Sequence, residues 1–440
     1  MSYKKQDRFI RLQIATRLHK TMPQRCILSS KFTLAREIAT ITIYPAQGHS
    51  HSKPQDHCAL AAYTRSLLHA LPQGERARHL VLTNRKRNST FQFDDNDIAV
   101  YEVWQKGSLK CFIQIIKAIK STPSLRTVHL QHEFNQFGGP LSVTLIPLML
   151  FVIRFILKKN TLITFHEVVG KDLLSPLLVK KAVLPMPFFV TRIVFKIYYK
   201  ITAFAANIVL VQHQTLMDRL TNEININPKK IKILPIGTET EVAIPDRAVS
   251  REKFGYKETE RVILFFGTID WRKGIDLLLD AFAMLQESSY RLIIGGGQPV
   301  RIKNTPEYQQ WYQGISNRIA ADKHIKHLGF VADDDIPYLF AASDLVVLPY
   351  IVPQMVSAVL NYAASYERPF IGSNAFAGHV DPMALCDTTP QALAEKIEWA
   401  FGNINLLSEY SRQYKDNFSW FKSAGLLVNY YNDAGNTTRS

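Results

Sequence analysis

The stretch VILFFGTIDWRKGIDLLLDAF, residues 262–282, decides the fold of this chain. The apolar run Val262–Phe266 predicts a buried β-strand, and apolar residues at helical spacing predict a helix over Ile275–Leu285. Between them, Gly267 lets the backbone approach a ligand closely, and Arg272 and Lys273 add positive charge at the start of the helix. These residues suit an anion site, most naturally for a diphosphate, although a surface turn with solvated basic residues fits them too.

Strands and helices alternate on both sides of this stretch. Beyond it, β-rich runs recur at Tyr290–Ile294, Leu345–Leu348 and Pro369–Ser373. Before it, they recur at Ala39–Tyr44, Leu80–Thr83, Thr127–Gln131, Leu162–Phe165 and Ile208–Val211. Two consecutive series of this kind predict an α/β protein with two facing, Rossmann-like, doubly wound parallel-sheet domains and a cleft between them.

A polar, charged segment between the two series predicts an inter-domain linker. The predicted organisation is a basic arm over residues 1–38, an N-terminal domain over 39–237, the linker over 238–257, a C-terminal domain over 258–417 and a closing helix over 418–440. Parallel sheets bind ligands at the carboxyl ends of their strands, so a cleft between two such domains suits two substrates.

Two further segments offer free backbone N–H groups after a predicted strand. Gly295, Gly296 and Gly297 follow one strand directly, and Ser357, Ala358 and Val359 open a helix after a strand and a loop. Asn361 lies one turn further into that helix, where its amide is placed to reach a sugar or ribose hydroxyl.

Four segments occur in a fixed order: FFGTIDWRKGIDLLLDAF, RLIIGGGQP, HLGFVADDDIPYLFAASDLVVLPY and SAVLNYAASYERPFIGS. Together they resemble the nucleotide-sugar-binding half of GT-B glycosyltransferases. Within this group, the resemblance is strongest to the retaining family 4. The resemblance extends over residues 39–434 and is strongest over 258–380. It implies the GT-B fold and a nucleotide-sugar donor in the C-terminal domain.

The resemblance also implies a donor site, residue by residue. Lys273 matches the basic residue that binds the donor diphosphate, and Arg272 is a second candidate beside it. The other candidates are the strand-end glycines Gly267 and Gly296, the wall around the base at Phe330 and Val331, and the diphosphate cradle at Ser357, Ala358 and Val359. No metal or other cofactor is implied, because the nucleotide sugar is a co-substrate.

The chain departs from the family at two glutamates that seven residues separate. These positions hold Pro353 and Asn361 here. Asn361 can still bond a hydroxyl, but an ionic hydrogen bond is lost, at a cost of ~1.5–3 kcal/mol. A second function therefore stays open, that of a catalytically silent GT-B protein that binds a nucleotide sugar or partners an active glycosyltransferase.

The N-terminal half supplies candidates for the other substrate. His166, in ITFHEV, matches a histidine that lies close to the transferred sugar in the family, and Gly48 resembles the glycine loop after the first strand. The pair His132 and Glu133 follows a predicted strand, where it suits acceptor hydroxyls or plain loop structure equally well.

Metal sites are disfavoured at the two segments where metal ligands cluster. The run Asp333–Asp335 begins a predicted helix, where carboxylates suit the helix dipole. The loop histidines His49, His51 and His57 have no carboxylate or cysteine around them. The four cysteines are scattered, which excludes a zinc ribbon or a disulfide scaffold and suits a reducing compartment.

The net charge of +16 is concentrated in two segments. Residues 1–40 and residues 141–204 each hold nine Lys and Arg against two acidic residues. In the second segment, the apolar runs Leu141–Ile153 and Ala182–Tyr199 predict helices in the interface of an anionic membrane, or alternatively buried helices with a basic edge. No nucleic-acid-binding motif accompanies the charge, so nucleic acid is the least favoured partner.

The predicted function is a retaining glycosyltransferase that moves a sugar from a nucleotide sugar to a lipid-linked saccharide acceptor in polysaccharide or glycoconjugate biosynthesis. Lys273 and Arg272 would stabilise the departing diphosphate, and His166 would orient the sugar. The first twenty residues lack an apolar secretory stretch, so the expected location is the cytoplasmic face of a membrane.

Overall fold

The structure is a computed structural model, and it describes residues 36–45, 58–85, 91–170, 187–299, 302–352 and 357–436. Five residues of the sequence analysis lie outside these ranges, and so does the arm up to residue 35. They are Gly48, His49, His51, His57 and Pro353.

The strands form two separate sheets, one in each half of the chain. The first sheet has the order β3-β4-β2-β1-β5-β6-β7-β8 and the second the order β11-β10-β9-β12-β13-β14. Neighbouring strands are parallel except β3 and β4, which form a hairpin. The strands are β1 Ile38–Ile41, β2 His79–Asn84, β3 Gln92–Asp95, β4 Ile98–Trp104, β5 Thr127–His132, β6 Asn160–Phe165, β7 Ile208–Val211, β8 Ile231–Ile233, β9 Arg261–Phe266, β10 Tyr290–Gly295, β11 Ile325–Gly329, β12 Leu345–Leu348, β13 Phe370–Ser373 and β14 Leu385–Cys386.

Helices cover the faces of both sheets, and the apolar strands are buried between them. Two π-helical turns, Val152–Ile156 and Arg219–Glu223, extend α5 and α7. This arrangement confirms the predicted α/β fold with two parallel-sheet domains. The helices are α1 Ala59–His69, α2 Gln73–Arg76, α3 Lys110–Lys120, α4 Pro140–Thr144, α5 Ile146–Phe151, α6 Phe188–Ala205, α7 Gln214–Asp218, α8 Arg247–Phe254, α9 Ile275–Met284, α10 Pro306–Ala321, α11 Ile336–Ala342, α12 Ala358–Ser365, α13 Pro390–Gly402, α14 Ile404–Asn417 and α15 Trp420–Asn436.

The predicted linker, residues 238–257, contains a helix that belongs to the C-terminal domain. Asp246 caps α8 by accepting a hydrogen bond from Val249 N, and Gly255 ends the helix in a left-handed conformation. Phe254 is part of the C-terminal core, and the buried Arg251 donates to Asp344 at 2.7 Å. The linker without regular structure is therefore much shorter than predicted.

The chain passes between the domains at two places that lie side by side. Thr238 N donates to Phe418 O at 2.7 Å, and Trp420 N donates to Thr238 O at 3.1 Å. Trp420 begins α15, which packs on the N-terminal domain through Leu427 and Tyr431. These paired crossings form the hinge beneath the cleft.

Candidate functional site

A cleft of about 450 Å³ lies between the two domains. Its N-terminal wall is built from α1 and from the residues that follow β5, β6 and β7, and its C-terminal wall from Arg272 and α12. Gly237, Glu239 and Trp420 of the hinge close its base. The predicted residues Glu133, His166, Arg272, Ala358 and Asn361 all line it.

His166 directly follows β6 and is half-buried in the N-terminal wall. Its Nε2 lies 2.7 Å from Oε1 of Gln131, and its Nδ1 lies 2.6 Å from Nε2 of Gln212. Tyr63 packs edge-on against the ring, with the ring centroids 4.7 Å apart. Burial, reinforced by the neighbouring His132, lowers the pKa of His166 to about 3, so the ring is neutral at physiological pH.

The predicted acceptor pair His132 and Glu133 is divided between the core and the cleft. His132 is 1% exposed, and its ring shares a 2.6 Å hydrogen bond with the Tyr198 hydroxyl of α6. Successive side chains of a strand point to opposite faces, so the end of β5 directs His132 into the core and Gln131 towards His166. Of the predicted pair, only Glu133 lines the cleft.

The basic turn after β9 is held by an internal ion pair. Asp270 is 3% exposed, and it accepts hydrogen bonds from Arg272 N at 2.9 Å and from Arg272 Nη2 at 2.7 Å. Burial alone raises the pKa of the Asp270 carboxyl, but the bonds and charge of Arg272 outweigh it and bring the pKa below its usual value. Arg272 therefore faces the cleft already paired, and Lys273 is the better source of positive charge for a ligand.

Lys273 lies against the backbone of the strand-end glycine. A Cβ at Gly267 would lie 2.6 Å from Lys273 Nζ and 3.4 Å from Val359 Cγ2, so Gly267, Lys273 and the start of α12 meet at one point. Gly267 and Gly296 have φ of +113° and +154°, and a Cβ at Gly296 would overlap the Gly267 carbonyl. Only glycine permits this close approach of the two strand ends.

The N-terminus of α12 faces the same point. Ser357 caps the helix by accepting from Leu360 N at 3.4 Å, and its Oγ lies 3.1 Å from the Tyr350 hydroxyl. The Tyr350 ring lies 5.7 Å from Lys273 Nζ. Ser357, Val359 and Lys273 therefore lie close together at the start of α12.

Asn361 is bonded to the hinge. Its Nδ2 donates to Gly237 O at 3.1 Å, and its side chain is largely buried. The residue predicted to contact a ribose therefore also ties α12 to the crossing between the domains.

Phe330 and Val331 lie at the end of β11, on the far side of the glycine segment. Val331 packs close to Gly295, and Gly296 N donates to Gly329 O at 2.7 Å.

The nearby Asp333–Asp335 forms a 3₁₀ turn before α11, and Asp335 pairs with Lys253. Among the described residues, no three His, Cys, Asp or Glu side chains come together as metal ligands.

Four residues of the site were missed by the sequence analysis as functional candidates: Tyr63, Gln131, Gln212 and Asp270. Asp270 carries a local signal, because an aspartate two residues before Arg272 is placed to cap the turn. Tyr63 and Gln212 carry none, because only the order of strands in the sheet brings them to His166.

Known proteins share the fold of this chain and part of its sequence. Residues 260–403, about one third of the chain, match the model of the family "Glycosyl transferases group 1". Mannosylfructose-phosphate synthase of Agrobacterium fabrum is 28% identical over 151 residues, which span 33% of this chain and 33% of that relative.

Two solved structures share the fold at low sequence identity. Sucrose-phosphate synthase from Thermosynechococcus elongatus superposes with a TM-score of 0.68 at 16% identity, over 91% of this chain and all of that one. Anabaena HepE in complex with UDP and glucose gives a TM-score of 0.63 at 16% identity, over 90% of this chain and all of that one. The chain therefore has the GT-B fold, and its residues 260–403 are similar to the group 1 glycosyl transferases.

Proposed function

We propose that the protein is a glycosyltransferase that moves a sugar from a nucleotide sugar to an acceptor in the cleft. The observation that carries this proposal is the meeting of Lys273, Gly267 and the N-terminus of α12 at one point of the C-terminal domain, next in sequence to Arg272 and Ala358, which line the cleft. A cation, a close backbone approach and a helix N-terminus together suit a diphosphate. His166 faces the same cleft from the opposite domain.

The proposed mechanism places charge stabilisation on the leaving group. Lys273 and the N–H groups at the start of α12 would stabilise the departing nucleoside diphosphate, where negative charge develops. We propose a retaining transfer, in which the acceptor attacks on the side of the leaving group and His166 orients the sugar. The diphosphate is held by protein groups in this scheme, without a metal.

A panel of donors tests the proposal. The purified protein is incubated with UDP-, GDP- and ADP-sugars, and released nucleotide is measured with and without a membrane lipid extract. UDP-sugars are the first choice, because HepE was solved with UDP. Release of one nucleotide that increases with the extract would support a transferase with a lipid-linked acceptor.

Lys273→Ala is the matching variant. We expect it to weaken donor binding by roughly 10- to 150-fold, because a hydrogen bond to a charged group contributes ~1.5–3 kcal/mol. Lys323→Ala, an exposed lysine of the same domain, is the control and should bind like wild type. Donor binding without release in any extract would instead support the catalytically silent protein.

We also propose that α6 lies on an anionic membrane, which places the acceptor site next to a lipid surface. Phe189, Ile193, Ile197 and Ile201 recur at every fourth position of α6, and all four side chains are more than half exposed. Positions four apart lie on one face of a helix, so these residues form an apolar stripe.

A basic stripe runs beside the apolar one. Arg192, Lys196 and Lys200 recur at the same spacing along α6. An apolar stripe flanked by Lys and Arg is typical of helices that lie in the membrane interface. Arg154 is not counted among the cations that would bind lipid headgroups, because it donates at 2.7 Å to the carbonyls of Phe204 and Ala206 at the end of α6.

The same helix contacts the cleft side of the domain. Tyr198 bonds to His132, the last residue of β5, and Tyr199 bonds to the Glu167 carbonyl just beyond β6. A membrane bound at α6 would therefore lie beside the acceptor wall, which suits an acceptor with a lipid anchor. None of the described helices is long and apolar enough to cross a bilayer.

Vesicle flotation tests the membrane proposal. We expect wild-type protein to float with vesicles that contain phosphatidylglycerol and to stay unbound with phosphatidylcholine alone. Ile193→Glu combined with Ile197→Glu should abolish flotation, because each change puts a carboxylate on the apolar stripe. Phe421→Glu, at an exposed phenylalanine of α15, is the control and should float normally. Wild type that floats with neither vesicle would contradict the proposal.

A further inference from the structure

Two buried glutamines on neighbouring strands hold His166. Gln131 is the penultimate residue of β5 and Gln212 directly follows β7, so they flank His166 on both sides. Gln131 is 1% exposed and Gln212 is 4% exposed, which leaves little water to compete for the ring. An amide oxygen only accepts and an amide nitrogen only donates, so the two bonds fix a neutral imidazole with its proton on Nε2.

The hydrogen bonds continue beyond Gln131 with a consistent direction. Gln131 Nε2 donates to His129 Nε2 at 3.3 Å, and the Thr164 hydroxyl lies 2.8 Å from the same nitrogen. His129 Nδ1 then donates to the Tyr431 hydroxyl of α15 at 2.9 Å. Each proton position is thus set by the next group in this series of hydrogen bonds, which extends from Gln212 through His166 to Tyr431.

The ring is also held in place by packing. Tyr63 lies perpendicular to it, and turning the imidazole would break both amide bonds at once. Burial disfavours the protonated form in addition, as the lowered pKa of His166 shows. With both nitrogens engaged inside the protein, the ring has no free lone pair for a proton from a substrate.

We propose that Gln131 and Gln212 are positioning residues that fix His166 as a neutral ring with its proton on Nε2 and withhold it from acid–base chemistry. The part of this inference that concerns catalysis rests on the proposed function, and the assigned proton position rests on the hydrogen bonds alone. An imidazolium beside the sugar would repel the positive charge of an oxocarbenium-like centre, and a neutral ring does not.

NMR of protein with ¹⁵N-labelled histidine tests the proton position without any need for activity. The signal of His166 is identified by its loss in His166→Asn. We expect wild type to stay neutral and protonated on Nε2 from pH 8 to pH 5. Gln212→Glu places a carboxylate beside Nδ1, so His166 should become protonated at pH 6, which corresponds to a rise in its proton affinity of at least roughly a thousandfold.

Controls separate this effect from general damage to the domain. Gln136→Leu replaces another buried glutamine of the same domain, one that donates to Ile41 O and not to His166, and it should leave the His166 signal unchanged. If Gln212→Glu does not fold, Gln131→Glu gives the same readout from the other ring nitrogen. A wild-type ring that carries its proton on Nδ1, titrates near pH 6.5, or ignores both glutamates would overturn the proposal.

Kinetics then test the positioning role in the active protein. We expect Gln212→Leu to lower kcat by roughly ten- to a hundredfold at an unchanged KM for the donor, because a slightly displaced ring no longer orients the sugar. Wild-type kcat in Gln212→Leu would overturn the positioning role. If the NMR result holds but no nucleotide is released by any protein, only the proposed function fails.

Discussion

At the scale of single residues, the proposed donor site depends on the absence of a side chain at Gly267. A side chain at this position would need a backbone conformation with φ near +113°, and its Cβ would displace the Lys273 ammonium. We expect Gly267→Ala to lower the free energy of unfolding by about 1–3 kcal/mol, from backbone strain. Because Lys273 must move, UDP should also bind at least roughly tenfold more weakly. Denaturant unfolding and titration calorimetry measure the two effects.

Gly314→Ala is the matched control for this change. Gly314 lies within α10, and nothing lies within 4 Å of the position that a Cβ would take. Alanine is favoured over glycine inside a helix, so this variant should be about 0.5–1 kcal/mol more stable and bind UDP like wild type. UDP binding that is equal in both variants would contradict a donor site at Gly267.

At the scale of secondary-structure elements, the sequence predicted what local patterns encode. The strands β9, β10, β12 and β13 are short apolar runs between helices, and their positions agree with the prediction to within a residue or two. Helix α8 was missed because its sequence, RAVSREKF, is mostly polar. Its signals were the cap residues Asp246 and Gly255, which mark the two ends independently of hydrophobicity.

The β3–β4 hairpin was missed for a similar reason. Asn96 and Asp97 occupy its two-residue turn with φ of +55° and +69°, and an Asn-Asp pair between strands is a turn signal that an analysis of apolar runs overlooks.

The contacts around His166 were beyond any local pattern. Gln131 and Gln212 lie 35 and 46 residues from His166 in sequence, and only the order β5-β6-β7 makes them neighbours. The pair His132 and Glu133 shows the same limit, because the sequence placed both at a strand end but did not indicate that His132 is buried and that only Glu133 lines the cleft. Local patterns therefore indicated where strands end and did not indicate which side chains of different strands meet.

At the scale of the whole molecule, buried and half-buried histidines link stability to pH. Burial lowers the pKa of six of them, to about 3 for His129, His132, His166 and His213 and to about 4 for His79 and His379. His213 and His379 belong to different domains, and their rings stack with centroids 5.0 Å apart. None of the four ring nitrogens of this pair has a hydrogen-bond partner among the described residues.

The direction of the pH effect follows from proton binding. Between about pH 6.5 and pH 4 the unfolded chain binds protons at these histidines and the folded protein does not, so the free energy of unfolding must fall as the pH is lowered. Each such histidine contributes a slope of up to about 1.4 kcal/mol per pH unit. We therefore expect the thermal midpoint to fall steadily from pH 6.5 to pH 4.5, as measured by calorimetry.

The histidine pair between the domains should account for a separable share of this slope. Replacing His213 and His379 together by asparagine removes two groups that protonate only on unfolding, so the double variant should lose stability less steeply between pH 6.5 and pH 4.5. Carboxylates with lowered pKa, such as Asp270, contribute little to this loss above about pH 5, because in the unfolded chain they take up protons mainly near their ordinary pKa of about 4. His79→Asn provides a comparison within a single domain, and it should reduce the pH dependence of the free energy of unfolding by the contribution of one proton. A midpoint that stays constant from pH 7 to pH 5, or an equal slope in the double variant and wild type, would show that the histidine rings between the domains are protonated as easily as in the unfolded chain.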